Sequence, residues 1–178
     1  FVGHSWGGGL ALGYAEKFPE QVQKLILLSS SGLDIPDIWE WELFKIKWLG
    51  HLFTYFITPA TVRLDLKKAF FNHQLISDEM VGEVYWPLRQ RFVKRAIYFY
   101  SQNFDWLKVE QGLSRLKQKA LLLWGANDHY ISVQDAKRLK AKLKNSRLLV
   151  FPRCGHQIHE ECVAQISPEI EKFLLQAN

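Results

Sequence analysis

Cysteine is scarce, with only Cys154 and Cys162 among 178 residues. Two cannot build a disulfide framework or a four-ligand zinc site. Two free thiols in a reducing, cytoplasmic compartment are the expectation, with one bridge as the alternative. Long apolar runs are also missing. No charge-free stretch exceeds 15 residues, and one of that length, Trp48 to Val62, contains Gly50, His51 and Pro59. A membrane-spanning helix needs about 20 predominantly apolar residues, so membrane contact is not expected. The opening Phe1-Val2-Gly3-His4-Ser5 has no basic region and no leader-like apolar core. It reads as the end of a strand already under way, which predicts further residues before Phe1. Internal repeats and low-complexity segments are absent. Acids are outnumbered, 18 against 23 Lys and Arg. Ten of those cations fall between Arg115 and Arg153, with only Asp128 and Asp135 opposing them. No nucleic-acid module accompanies them, and a solvated helix face is the expected reading.

What is present suits a globular protein. Hydrophobic residues make up 48% and charged residues 23%, which excludes a disordered chain, a collagen-like chain and a pure coiled coil. Aromatics reach 14%, enough to bury large apolar areas or line an apolar pocket.

The chain divides into three parts. Residues 1–33 hold a short strand, a Gly/Ala-rich helix ended by Pro19, and the apolar run Lys24 to Ser29. Residues 34–118 are an 85-residue insertion with helical spacing: Trp39, Leu43 and Ile46 in one stretch, Val93, Ile97 and Tyr100 in another. Trp39, Trp41, Phe44, Trp48, Phe53, Tyr55 and Phe56 are expected in its core. Tyr85, Trp86, Tyr98, Tyr100 and Trp106 are pocket-wall candidates. Residues 119–178 return to alternation: strand Ala120 to Trp124, a helix capped by Ser132 with Asp135, strand Leu148 to Phe151, and a last helix from about Cys162 to Leu175. Alternating apolar strands and helices predict an α/β fold, a mostly parallel sheet covered by helices.

The chemical signal is Gly3-His4-Ser5-Trp6-Gly7, a G-x-S-x-G pattern between a strand and a helix. Composition alone would give about 0.04 such matches in a chain this long. The pattern sets Ser5 on a sharp turn, with glycines expected to admit close backbones. The Trp6 backbone N–H at the following helix start could bind an oxyanion. A serine hydroxyl needs a base, and the base an orienting partner. Asp128 follows one later strand, in Trp124-Gly125-Ala126-Asn127-Asp128. His156 follows another, in Cys154-Gly155-His156. Asp34 rivals Asp128 and His159 rivals His156, but the Gly-bearing strand-end contexts favour Asp128 and His156. His4, His51, His73 and His129 have no motif support and read as surface or core residues. A metal cluster of Cys154, His156, His159 and Cys162 is the lesser reading, since that spacing also fits a catalytic loop entering a helix.

GHSWGG (Gly3 to Gly8), KLILLSSSG (Lys24 to Gly32), LLLWGANDHYI (Leu121 to Ile131) and CGHQIHEE (Cys154 to Glu161) together resemble the α/β-hydrolase superfamily, in its cap-bearing serine hydrolase branch. The resemblance implies a core over 1–33 and 119–178 with a helical cap over 34–118. It implies an esterase-like enzyme with Ser5 as nucleophile, His156 as base, Asp128 as its partner and the Trp6 N–H in the oxyanion hole. No cofactor and no metal are implied. The substrate would be a small apolar ester or acyl compound, with a carbon–carbon hydrolase, a cofactor-free perhydrolase or a non-catalytic binding module as alternatives. Members carry about 90 or more residues before this motif, including a loop that gives a second oxyanion donor. Their counterpart here is expected upstream of Phe1.

Overall fold

The computed structural model describes residues 1–36, 42, 46 and 54–176. Four parallel strands form one sheet in the order β1 (Val2–His4), β2 (Lys24–Leu28), β3 (Lys119–Gly125) and β4 (Ser146–Phe151). The runs KLILL and ALLLW explain the centre. Leu25, Leu27, Leu122 and Trp124 face one apolar layer, while Ile26, Leu28, Leu121 and Leu123 face the other. A parallel strand buried on both faces has no polar side, so its sequence shows no alternation. All eight side chains are at most 5% exposed.

Helices cover both faces. On the first lie α1 (Trp6–Lys17) and a later helix, Val133–Lys142, which buries Ala136 and Leu139 and turns its lysines outward. The Ser132 side chain caps that helix by accepting from the Asp135 N–H. On the second face the C-terminal helix Val163–Leu175 buries Ile166 and Phe173.

Between β2 and β3 the described residues are helical: α2 (Pro59–Ala69), α3 (Asp78–Leu88), α4 (Arg91–Asn103) and α5 (Trp106–Gly112). The expected helical spacing of Val93, Ile97 and Tyr100 falls on α4, where all three are half-buried. Thr58 caps α2 ahead of Pro59. Val62, Leu66 and Ala69 recur at four and three residues, so one face of α2 meets Phe70, Ile76 and Val81 in a separate apolar cluster. Tyr55 and Phe56 do not join it. They lie on a three-residue turn before α2 and are 62% and 61% exposed, against the expectation of a core position. Trp39, Trp41, Phe44, Trp48 and Phe53 lie outside the described residues, as does the Trp39–Leu43 spacing. Among the described residues no helix is long and apolar enough to cross a membrane.

The cysteines correct the free-thiol expectation. Cys154 and Cys162 form a disulfide, their Cα atoms 6.2 Å apart. The short helix Ile158–Glu161 folds the chain back between them, which a count of cysteines does not reveal.

Candidate active site

Parallel strands end together, so the loops after β1, β3 and β4 meet at one edge of the sheet. Ser5 leaves β1 with φ 51° and ψ −123°. A non-glycine residue there is strained and persists only where its surroundings hold it. They do: the Ser5 N–H donates to the Leu28 carbonyl at 3.0 Å, and its own carbonyl accepts from Gly8 and Ser31, each at 3.0 Å. Ser29 after β2 and Arg153 after β4 also have positive φ, so the turns at this edge are tight on three strands.

Only some of the glycines around Ser5 are needed for close approach. A Cβ on Gly3 would come within 2.6 Å of Gly7 and Gly8 backbone atoms, and one on Gly8 within 2.6 Å of the Ser30 Cβ. A Cβ on Gly7 would meet nothing within 4 Å among the described residues. Close approach therefore requires Gly3 and Gly8, and the expectation that the motif's last glycine serves it is corrected.

Asp128 has no exposed side-chain surface. Its Oδ1 accepts from the Tyr130 and Ile131 N–H groups at 2.8 and 3.0 Å, and its Oδ2 lies 2.9 Å from His156 Nδ1. A carboxylate oxygen accepts, so Nδ1 carries the ring proton and Nε2 is left as the acceptor. The rival Asp34 is exposed, and its N–H donates to Glu110.

His156 is 6% exposed. Its N–H donates to the Ala69 carbonyl at the end of α2, at 2.7 Å. Gly155 permits this approach, since a Cβ there would lie 2.8 Å from the Phe71 nitrogen. Glu161 ties the same places together, accepting from Gly155 at 2.6 Å and from Asn72 at 2.7 Å.

A cavity of about 360 Å³ joins these groups. His4, Ser5, Trp6 and His156 line it from the sheet edge, and Asp65, Leu66, Ala69 and Val84 from α2 and α3. Ser31, Tyr130, Ile131 and Gln157 also line it. Trp6 sits at the first turn of α1, where the dipole favours negative charge.

The aromatic wall candidates stand elsewhere. Tyr100 packs on the Trp6 ring at 4.3 Å, Tyr85 packs on the α2–α3 cluster, and Trp86 is 58% exposed. Several lining residues have no role in the sequence reading: the apolar Leu66, Ala69 and Val84, and the polar His4, Asp65 and Tyr130. The Tyr130 hydroxyl donates to Asp65 at 2.5 Å, and its ring lies 5.0 Å from the His156 ring. Only the place of His4, next to Ser5, could have flagged one of them. His159 contacts the His4 ring at 4.3 Å and pairs with Glu160 at 3.6 Å. Burial lowers its pKa below the ordinary imidazole value.

The α/β hydrolase fold family matches residues 1–162. A 2-hydroxy-6-oxononadienedioate/2-hydroxy-6-oxononatrienedioate hydrolase of Comamonas testosteroni is 33% identical over 162 residues, covering 87% of this chain and 55% of that protein. A 2-hydroxy-6-oxo-6-phenylhexa-2,4-dienoate hydrolase of Burkholderia cepacia is 31% identical over 167 residues, with the same coverage. The chain thus spans about half the length of these curated relatives. Among solved structures, a meta-cleavage product hydrolase of Pseudomonas fluorescens superposes with TM-score 0.81 at 22% identity, covering 99% of this chain and 64% of that one. An esterase of Exiguobacterium antarcticum gives 0.75 at 19% identity, covering 98% and 66%. At those identities the superpositions speak for the fold alone. With nine-tenths of its length matched to one family, the chain belongs to the α/β hydrolases.

Proposed function

We propose that the protein of which this chain forms part is a serine hydrolase acting on a small apolar carbonyl substrate through an acyl-enzyme. The observation that carries this reading is the His156 Nδ1–Asp128 Oδ2 hydrogen bond of 2.9 Å beside a cavity that Ser5 also lines. His156 Nε2 takes the Ser5 proton as Oγ attacks the carbonyl. Asp128 holds the ring orientation and stabilises the imidazolium. The Trp6 N–H receives the oxyanion. His156 then protonates the leaving group and activates water to release the acid.

A carboxylic ester is the first reading of the bond cleaved. The apolar wall of Leu66, Ala69, Val84 and Ile131 suits an apolar acyl group. Carbon–carbon cleavage is the second. It is favoured by the names of the relatives at 33% and 31% identity and uses the same base and oxyanion site. Turnover of p-nitrophenyl esters against vinylogous diketones by the full-length protein separates them. Ester-only turnover selects the first and diketone-only turnover the second. Turnover of either that survives Ser5→Ala unchanged refutes the mechanism common to both.

A further inference from the structure

We infer that His4 is a positioning residue, whose ring sets the base-bearing loop against the nucleophile by donating a hydrogen bond from Nε2 to the His156 carbonyl. The inference rests on the serine-hydrolase reading above. His4 Nε2 lies 3.0 Å from that oxygen. A carbonyl only accepts, so the neutral His4 ring carries its proton on Nε2.

His156 is held at three atoms by three distant parts of the chain. Its ring is held by Asp128, its N–H by the Ala69 carbonyl, and its carbonyl by His4. The first two say nothing of where Ser5 is. The third does, because His4 and Ser5 are consecutive and their Cα atoms are about 3.8 Å apart. One hydrogen bond thus links the strand that delivers the hydroxyl to the loop that delivers the base, across 152 residues of sequence. Ring contacts of 4.7 Å to His156 and 4.3 Å to His159 pack the same side chain in place.

The donor must also be uncharged. A lysine or arginine there would repel the imidazolium that forms at His156 during the reaction. Burial, and then the neighbouring His156 and His159, lower the His4 pKa to about 4. His4 therefore donates at neutral pH without competing for the proton that His156 takes.

The test uses the full-length protein, a fluorophosphonate probe and two variants. His4→Phe keeps a ring and removes the donor. His4→Gln places an amide N–H near the original Nε2 position. Saturation labelling rates should fall about 10- to 100-fold in His4→Phe, since small misplacements of reacting groups cost on that scale, with little change in the half-saturating probe concentration. His4→Gln should recover to within a few-fold of the parent. A His4→Phe rate equal to the parent, or a His4→Gln rate as low as that of His4→Phe, overturns the inference. Should His4→Phe not fold, ¹⁵N-histidine spectra of the parent decide. The Nε2–H tautomer at pH 7 with no titration above about pH 5 supports the role, and the Nδ1–H tautomer or ordinary imidazole titration overturns it. Failure of the parent itself to label counts against the hydrolase reading instead.

Discussion

The sheet and the helical segment between β2 and β3 meet at the cavity, but they are built differently. The central strands β2 and β3 bury every apolar side chain between two covered faces, and the ends of β1, β3 and β4 carry Ser5, Asp128 and His156. The helical segment is looser. Helix α4 has no buried residue, and Phe92 and Phe99 on it are 72% and 67% exposed. Its hold on the site comes from the C-terminal end of α2, where Ala69 accepts from His156 and Asn72 donates to Glu161. Position in the site is therefore set by the sheet, while the helices supply a wall and the ties at Ala69, Asn72 and Asp65.

The sharpest break in that comparison is chemical. His156→Ala in the full-length protein should lower turnover about 10⁴-fold or more, and Asp128→Asn about 10³- to 10⁴-fold, because the three groups act as a unit. Truncating Val84 on the helical wall should leave kcat within about tenfold and act mainly on KM. Steady-state kinetics of the three variants check this. Equal losses in kcat would erase the distinction between sheet and helices.

Stability should divide the same way. Leu122→Ala removes a side chain with 0% exposure in β3 and should cost about 2–5 kcal/mol in urea unfolding. Phe92→Ala on α4 should stay within about 0.5 kcal/mol.

The Cys154–Cys162 bridge spans a separation of 8 residues and encloses Gly155 and His156. Closing so short a loop stabilises the fold by about 2–3 kcal/mol. Thiol titration of the native chain should find no free cysteine, and reduction should lower stability by that amount.

The smallest effects concern pH, and two groups, His4 and Glu16, differ in sign. His4 has a folded pKa of about 4, below its ordinary 6.5. The unfolded chain binds the extra proton, so stability falls as pH drops through that window. Glu16 is the reverse. Burial raises its pKa from 4.5 to about 7, opposed by Arg115, and a Cβ on Gly112 of α5 would collide with its carboxyl. Its contribution is greatest below pH 4.5 and is lost as pH rises through 7. Unfolding curves between pH 4 and 8 should flatten at the acid end in His4→Gln and rise near neutrality in Glu16→Gln.

Much of this was legible because the signals are local. KLILL, ALLLW and the strand–turn–helix setting of Ser5 depend on neighbours in sequence, and the structure places the strands there. What escaped is long-range. The His4 tie joins residues 152 apart and the Tyr130–Asp65 bond residues 65 apart. No periodicity encodes either. The glycines divide likewise: the pattern named Gly3 and Gly7, but close packing falls on Gly3 and Gly8. The disulfide depended on a four-residue helix too short to announce itself.

One labelling experiment bears most directly on the whole account. The full-length protein is treated with a fluorophosphonate and its peptides are mapped by mass spectrometry. A single adduct on Ser5, formed at least about 10³-fold more slowly in His156→Ala, is the predicted result. An adduct on another serine of the same edge, such as Ser29 or Ser31, or labelling of Ser5 at an undiminished rate without His156, would contradict it.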